Sequence, residues 1–255
     1  MRAKGEIFNG LAGDGTAIVN ADDAHAGVWL TQLAGRRVLR FGLERQNVEV
    51  SARELHHLDS GCYGFDLAVG PQRVPVRLQV LGRHNVANAL AAAAAATAVG
   101  LEPAPIAEGL GRFEAVNGRM KPLSGLAGCR LIDDSYNANP ASVRAAIEVL
   151  AGLPGVHALA LGDMAELGAD SADQHAGIGI HAAKKGIDHF FGVGPLSREA
   201  VRAYRAAGGI DGRAFDDREQ LIDYLKTKVH ADLTLLVKGS RSAAMERVVK
   251  GLMEA

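Results

Sequence analysis

Between residues 74 and 80, Val74, Val76, Leu78 and Val80 alternate with Pro75, Arg77 and Gln79. A period of two predicts a strand with one buried face. Pro75 has no N–H to give a ladder, so this strand belongs at a sheet edge. The stretch Phe65-Asp66-Leu67-Ala68-Val69 precedes it across Gly70-Pro71-Gln72-Arg73, which predicts a hairpin. Shorter runs predict strands at 16–20, leading into the polar turn Ala21-Asp22-Asp23, and at 38–41 and 48–50. The Ala-rich stretch 85–99 predicts a helix with Asn85 as its N-cap and Gly100 as its stop. A short helix over 105–110 is stopped by Gly111, and from 112 to 128 the pattern dissolves into Gly, Asn, Lys and Pro, which predicts an inter-domain hinge.

The second half has a different rhythm. Strands are predicted at 129–132, 158–161, 189–191, 214–215 and 233–237, and helices at 142–150, 172–185, 197–207, 217–228 and 243–253. Asn139 and Pro140 supply a start signal for the first of these helices. Five β-then-α units imply an α/β fold with a mostly parallel sheet covered on both faces.

Composition narrows the class. Of 255 residues, 48% are hydrophobic and 22% charged, enough for a real core, and the length favours two domains. Lys plus Arg is 28 against 29 for Asp plus Glu, so a net charge of −1 argues against a nucleic-acid or membrane-surface binder. The longest apolar run, 89–96, is too short to insert in a membrane, and the N-terminus lacks a signal-peptide core. Cys62 and Cys129 lie far apart with no metal spacing, which fits a reducing, cytoplasmic setting.

In an open parallel sheet, ligands bind beyond the carboxyl ends of the strands. Here those ends run into Asp133-Asp134-Ser135-Tyr136-Asn137-Ala138-Asn139-Pro140, Gly162-Asp163-Met164-Ala165-Glu166-Leu167-Gly168, Gly192-Val193-Gly194-Pro195 and Lys238-Gly239-Ser240-Arg241-Ser242. Acids, glycines and cations on one rim suit a polar ligand with hydroxyls and carboxylates or phosphates. The same residues also read as a turn with a helix cap, as loop punctuation, and as a capped helix start with solvated cations. Lys238 and Arg241 near a helix N-terminus oppose the macrodipole, which points to an anion held there. Asn85 and Asn88, three apart, share one face of a helix start, either as part of a well-capped helix or within reach of a purine edge. Arg119, in the hinge, is either solvated or free to swing onto a phosphate. No zinc spacing, Gly-x-Ser-x-Gly elbow or Gly-Lys dipeptide occurs, so the chain has no Walker A loop. Gly10-Leu11-Ala12-Gly13-Asp14-Gly15 precedes a strand and is no Rossmann fingerprint.

At these motifs the chain resembles the Mur ligases, the ATP-dependent amide-forming enzymes of peptidoglycan synthesis. Five stretches, in order, carry the resemblance: Ala3-Lys4-Gly5-Glu6-Ile7-Phe8, Gly82-Arg83-His84-Asn85-Val86-Ala87-Asn88-Ala89-Leu90, 133–140, 162–168, and Val237-Lys238-Gly239-Ser240-Arg241-Ser242-Ala243-Ala244-Met245-Glu246. The Tyr136-Asn137-Ala138-Asn139-Pro140 form resembles the members that add D-alanyl-D-alanine to UDP-N-acetylmuramoyl-tripeptide. The resemblance implies a partial central ATPase domain at 1–115, a mixed sheet plus helices, and a Rossmann-like C-terminal domain at 116–255. It further implies that the chain begins inside the central domain, and that the N-terminal part of the ligase, with the UDP-binding domain, P-loop and magnesium-ligating Glu and His, is a missing partner.

Residue roles implied by the resemblance are these. Lys4, carbamylated, helps hold Mg2+; Asn85 and Asn88 meet the adenine; Arg119 reaches the γ-phosphate of ATP after closure. Asp134 binds the ribose hydroxyls, Tyr136 lies against the base, and Lys238, Ser240, Arg241 and Ser242 face the dipeptide. The implied reaction makes an acyl phosphate from the tripeptide carboxylate and ATP, which the dipeptide amine then attacks. For lack of a P-loop, the chain alone is expected not to turn over ATP. Two other readings remain: a non-catalytic fragment that binds nucleotide or dipeptide, and a related ligase such as folylpolyglutamate synthase, against which the 133–140 segment speaks.

Overall fold

A computed structural model describes residues 5–58 and 60–253. The chain divides into two compact units, Met1–Glu114 and Ala115–Ala255.

In the first unit a 3-10 turn, Glu6–Gly10, leads to β1 (Thr16–Asn20), α1 (Ala26–Gln32), β2 (Arg37–Gly42), β3 (Val50–His57), β4 (Cys62–Val69), β5 (Gln72–Leu81), α2 (Arg83–Ala98) and α3 (Pro103–Arg112). The sheet runs β1-β2-β3-β4-β5, parallel through β3 and antiparallel beyond. Proline 75 does sit on an edge strand, opposite Asp66, and Val76, Leu78 and Val80 point inward as their alternation requires. Along α2, Val86, Ala89, Leu90, Ala93 and Ala94 form the buried stripe, at the spacing that brings one helical face to the core.

The structure corrects several expectations here. Helix α2 starts two residues before Asn85, because Gly82 adopts φ 95°, a left-handed turn that an L side chain resists. Asn85 is therefore inside the first turn rather than its N-cap. Helix α3 runs on through Gly111. Strand β3 extends seven residues past Val50; 51–57 has no clean alternation, since a register shift between Arg53 and His56 breaks it, with Glu54 at φ 52°. Helix α1 was not expected, being short, with Gly27 and β-branched Val28 near its start and no side-chain cap. It nonetheless packs Trp29 and Leu30 with Phe8 and Leu11 on a small cluster of Ala17, Val19, Ala26 and Leu33.

The second unit contains β6 (Lys121–Ser124), β7 (Arg130–Asp134), α4 (Pro140–Ala151), β8 (Val156–Gly162), α5 (Ser171–Lys184), β9 (His189–Val193), α6 (Pro195–Ala206), β10 (Asp211–Phe215), α7 (Arg218–Lys226), β11 (Leu233–Lys238) and α8 (Glu246–Leu252). The sheet order is β10-β9-β8-β11-β7-β6, with every pair parallel except β6 with β7. The five β-then-α units form the expected parallel sheet. Strand β6 falls in the segment expected to be unstructured. It is four residues long and holds Pro122, so it gives no periodic signal and survives only as an edge strand.

All six residues of β11 are buried, as a strand covered on both faces must be. Leu233, Leu235 and Val237 pack with Leu131, Ala160, Phe191, Leu221, Met245 and Val248 in one cluster. Helix α4 begins with a reciprocal cap: Ser142 N–H donates to Asn139 Oδ1, and Asn139 N–H donates to Ser142 Oγ. Helices α5 and α6 touch so closely that a Cβ on Gly179 would stand 1.9 Å from the Ala200 carbonyl oxygen. Gly179→Ala must push these helices apart; we expect a loss of about 3 kcal/mol, read from the urea midpoint by circular dichroism.

In the first unit one carboxylate organises the loop after β2. Asp22 accepts the N–H groups of Leu43 (2.6 Å), Glu44 (3.1 Å) and Arg45 (2.8 Å). Burial pushes this carboxyl up, but the three backbone donors and the Arg45 charge outweigh burial and hold its pKa below the ordinary value. A depressed folded pKa gives stability that is present above the unfolded value, near 3.9, and lost as pH falls through the folded one. Asp22→Asn is expected to cost about 1–2 kcal/mol at pH 7, with the gap to wild type closing below about pH 4 in urea titrations followed at both pH values.

Candidate functional site

Because β11 lies between β7 and β8, the loops after these three strands are neighbours on the carboxyl rim of the second sheet. Two carboxylates end β7, Asp133 buried and Asp134 partly buried. Asp133 accepts Gly118 N–H (2.9 Å), Ser135 N–H (3.1 Å) and Ser135 Oγ–H (2.5 Å). It thereby ties the 117–120 turn to the β7 loop, and Tyr136 N–H returns a bond to Gly118 O (3.1 Å). Asp134 takes Met120 N–H on Oδ1 (3.2 Å) and the Lys238 ammonium on Oδ2 (2.5 Å).

Lys238 is the register partner of Asp134 across β11 and β7. Its side chain is only 3% exposed, and Nζ also donates to Asn137 O at 2.9 Å. This differs from the expectation of an ammonium group that faces ligand. Arg119, by contrast, is exposed and lies with its guanidinium 4.5 Å from the centre of the Tyr136 ring, a cation–π contact. Tyr136 is 50% exposed. Arg119, Asp134, Tyr136 and Lys238 thus come together on one side of the rim.

On the other side, Asp163 anchors three loops. Its carboxylate caps α6, accepting Ser197 N–H (2.6 Å) and Leu196 N–H (3.3 Å). Its backbone oxygen accepts both Ser240 N–H (3.1 Å) and Ser240 Oγ–H (2.6 Å). Ser240 is buried and its hydroxyl contacts Ser242 Oγ at 3.1 Å, whereas Ser242 and Arg241 are exposed. The macrodipole argument for an anion at this point does not hold. Helix α8 starts at Glu246, not Ala243, so an acid occupies its first turn, and Arg241 lies 3.9 Å from that acid.

Asn85 and Asn88 in the first unit are bonded to each other, Nδ2 of Asn88 to Oδ1 of Asn85 (3.0 Å), and Asn85 Nδ2 donates back to Leu81 O (2.8 Å). Arg83 beside them pairs with Glu44. The Lys4 position lies outside the described residues. Among the described residues no group of three or more His, Cys, Asp or Glu could hold a metal ion, and no helix is long and apolar enough to cross a membrane.

Sequence reasoning missed one residue that shapes this rim. His175, fully buried on α5, accepts Met164 N–H on Nε2 (2.9 Å) and uses Nδ1 for Ser171 O (2.7 Å). These two bonds select the Nδ1–H tautomer. They hold the 163–168 loop, in which Glu166 sits at φ 62°. No spacing rule singles out a histidine that serves a backbone N–H eleven residues earlier. His175→Phe leaves that buried N–H unsatisfied; we expect a loss of about 1–3 kcal/mol and faster hydrogen exchange at Met164.

Comparison with known proteins places this architecture. The Mur ligase middle domain matches residues 1–96, and the Mur ligase glutamate ligase domain matches residues 118–241. Among curated relatives, a UDP-N-acetylmuramoyl-tripeptide--D-alanyl-D-alanine ligase of Escherichia coli (strain K12) is 44% identical over 99% of this chain and 55% of its own length. The same-named protein of Haemophilus influenzae is 34% identical over 100% of this chain and 54% of its own. The chain thus spans about half the length of the curated relatives it matches. Of solved structures, MurF from Acinetobacter baumannii superimposes with a TM-score of 0.87 at 32% identity, covering 100% of this chain and 55% of that one. A MurF ligase from Thermotoga maritima shares the fold at a TM-score of 0.82 and 22% identity, over 98% of this chain and 56% of that one. With a mixed-sheet unit and a parallel-sheet unit matched in order by the two domain models, this chain belongs to the Mur ligase family.

Proposed function

We propose that this chain carries part of an ATP-dependent ligase that adds D-alanyl-D-alanine to UDP-N-acetylmuramoyl-tripeptide, and that its own contribution is to hold the nucleotide. The observation that carries this reading is the Asp134 carboxylate, oriented by Met120 N–H and Lys238, beside exposed Tyr136 and Arg119. A fixed carboxylate accepts hydroxyl donors, an exposed ring offers a face to a base, and an exposed guanidinium offers a fork to a phosphate. Nucleoside phosphates present all three. The E. coli relative is named for the reaction, and the T. maritima structure is described as a complex with ADP.

For the second unit, the proposal gives Asp134 the ribose hydroxyls, Tyr136 the base and Arg119 the γ-phosphate. For the first, it gives Asn85 and Asn88 the adenine. Their amide pair leaves donor and acceptor capacity of the kind a purine edge needs. Arg241 and Ser242, the exposed residues after β11, face the dipeptide. The chemical step itself is charge neutralisation on the transferred phosphoryl group, to which Arg119 contributes. Lys4, which the resemblance assigns to Mg2+ when carbamylated, lies outside the described residues. The domain reading is likewise a proposal: a central-domain portion to residue 115 and a Rossmann-like domain from 116.

Calorimetric titration with ADP tests the reading. Binding is expected, with Asp134→Asn weakening it about tenfold; heats that never saturate for wild type would sink it. With no Gly-Lys loop anywhere in its sequence, the isolated chain is expected to release no phosphate from ATP when supplied with both other substrates. Phosphate release that depends on D-alanyl-D-alanine would overturn that expectation.

A further inference from the structure

Lys238 belongs to the stretch after β11 that the dipeptide was expected to meet, yet its side chain is 3% exposed. An ammonium group has three donors. Two are committed, to Asp134 Oδ2 at 2.5 Å and to Asn137 O at 2.9 Å. Its acceptors sit on either side of Tyr136: one is the carboxylate that ends β7, the other a backbone carbonyl in the loop that follows. The bond to Asp134 joins residues 104 positions apart, across the register pair of two adjacent parallel strands.

We propose that Lys238 is a positioning residue for nucleotide binding: it fixes the direction of the Asp134 carboxylate and the course of the 135–139 loop, and does not itself touch a ligand. The inference rests on the nucleotide reading given above. The geometric argument is one of constraint. Met120 N–H reaches Asp134 Oδ1 from the 117–120 turn, and Lys238 reaches Oδ2 from β11. These two donors come from different elements and reach different oxygens, so together they set the plane of the carboxylate. The same ammonium group, through Asn137 O, pins the peptide next to Tyr136, so ribose and base contacts are set by one buried charge. Lys238 is in this sense coupled to the ligand only through Asp134 and the loop.

The test compares ADP with 2′,3′-dideoxy-ADP, by calorimetry on the full chain, for wild type, Lys238→Met, Asp134→Asn and the double variant. Wild type is expected to prefer ADP about tenfold, the size of one charge-assisted hydrogen bond. Lys238→Met is expected to lose that preference while circular dichroism shows it folded. The double variant removes both charges together and so leaves no unpaired ion; its ratio of ADP to 2′,3′-dideoxy-ADP affinity is expected to equal that of Asp134→Asn. This last comparison stands even where Lys238→Met alone does not fold. Retained ADP preference in Lys238→Met overturns the inference. So does a double variant whose ratio of ADP to 2′,3′-dideoxy-ADP affinity differs from that of Asp134→Asn, because Lys238 would then reach the ribose directly. A distinct result, no ADP preference in wild type or an unchanged one in Asp134→Asn, removes the ribose role of Asp134 and with it the reading beneath the inference.

Discussion

A buried positive charge and a partly buried negative one, side by side at the ends of adjacent strands, constrain everything around them. Either ion alone would be costly out of water, and the pair is tolerable only with its remaining hydrogen bonds satisfied. Asp134 and Lys238 meet that condition through Met120 N–H and Asn137 O. The register of β11 on β7, the 117–120 turn and the loop after β7 are therefore one mechanical unit. A slip of one residue in β11 would put Lys238 on the wrong face and break its bond to Asp134. What this core of charge presents outward is Tyr136 and Arg119, stacked on one another.

The rim as a whole shows two kinds of polar residue. Asp133, Asp163, Ser240 and His175 are spent on the protein itself, each holding loop backbone in place. Arg119, Tyr136, Arg241 and Ser242 are exposed. Sequence motifs merge the two kinds, because a residue that builds a site and a residue that uses it stand next to each other in the chain. The Lys238-Gly239-Ser240-Arg241-Ser242 stretch is the plainest case: buried, buried, buried, exposed, exposed.

Legibility followed the range of the interaction. Pro75 announced an edge strand because a missing N–H is a local fact, and Asn139-Pro140 announced α4 for the same kind of reason. The parallel sheet could be read because each buried strand is a short apolar run. Strand β6 could not, since four half-exposed residues with a proline carry no period. Asp134, Tyr136 and Arg119 were legible as candidates through a family resemblance, and their proximity is borne on the fold. The partner of Lys238 was not legible at all. It depends on which strands lie side by side, and nothing in the local pattern says that β11 inserts between β7 and β8.

The chain has a single tryptophan, and α1 places it in the first unit, on the cluster of Ala17, Val19, Ala26 and Leu33. Indole emission is therefore an optical tag on that unit alone. Three of the four tyrosines, Tyr136, Tyr204 and Tyr224, belong to the second unit. Loss of order in the first unit can therefore be followed by exciting the indole alone, without attaching any dye.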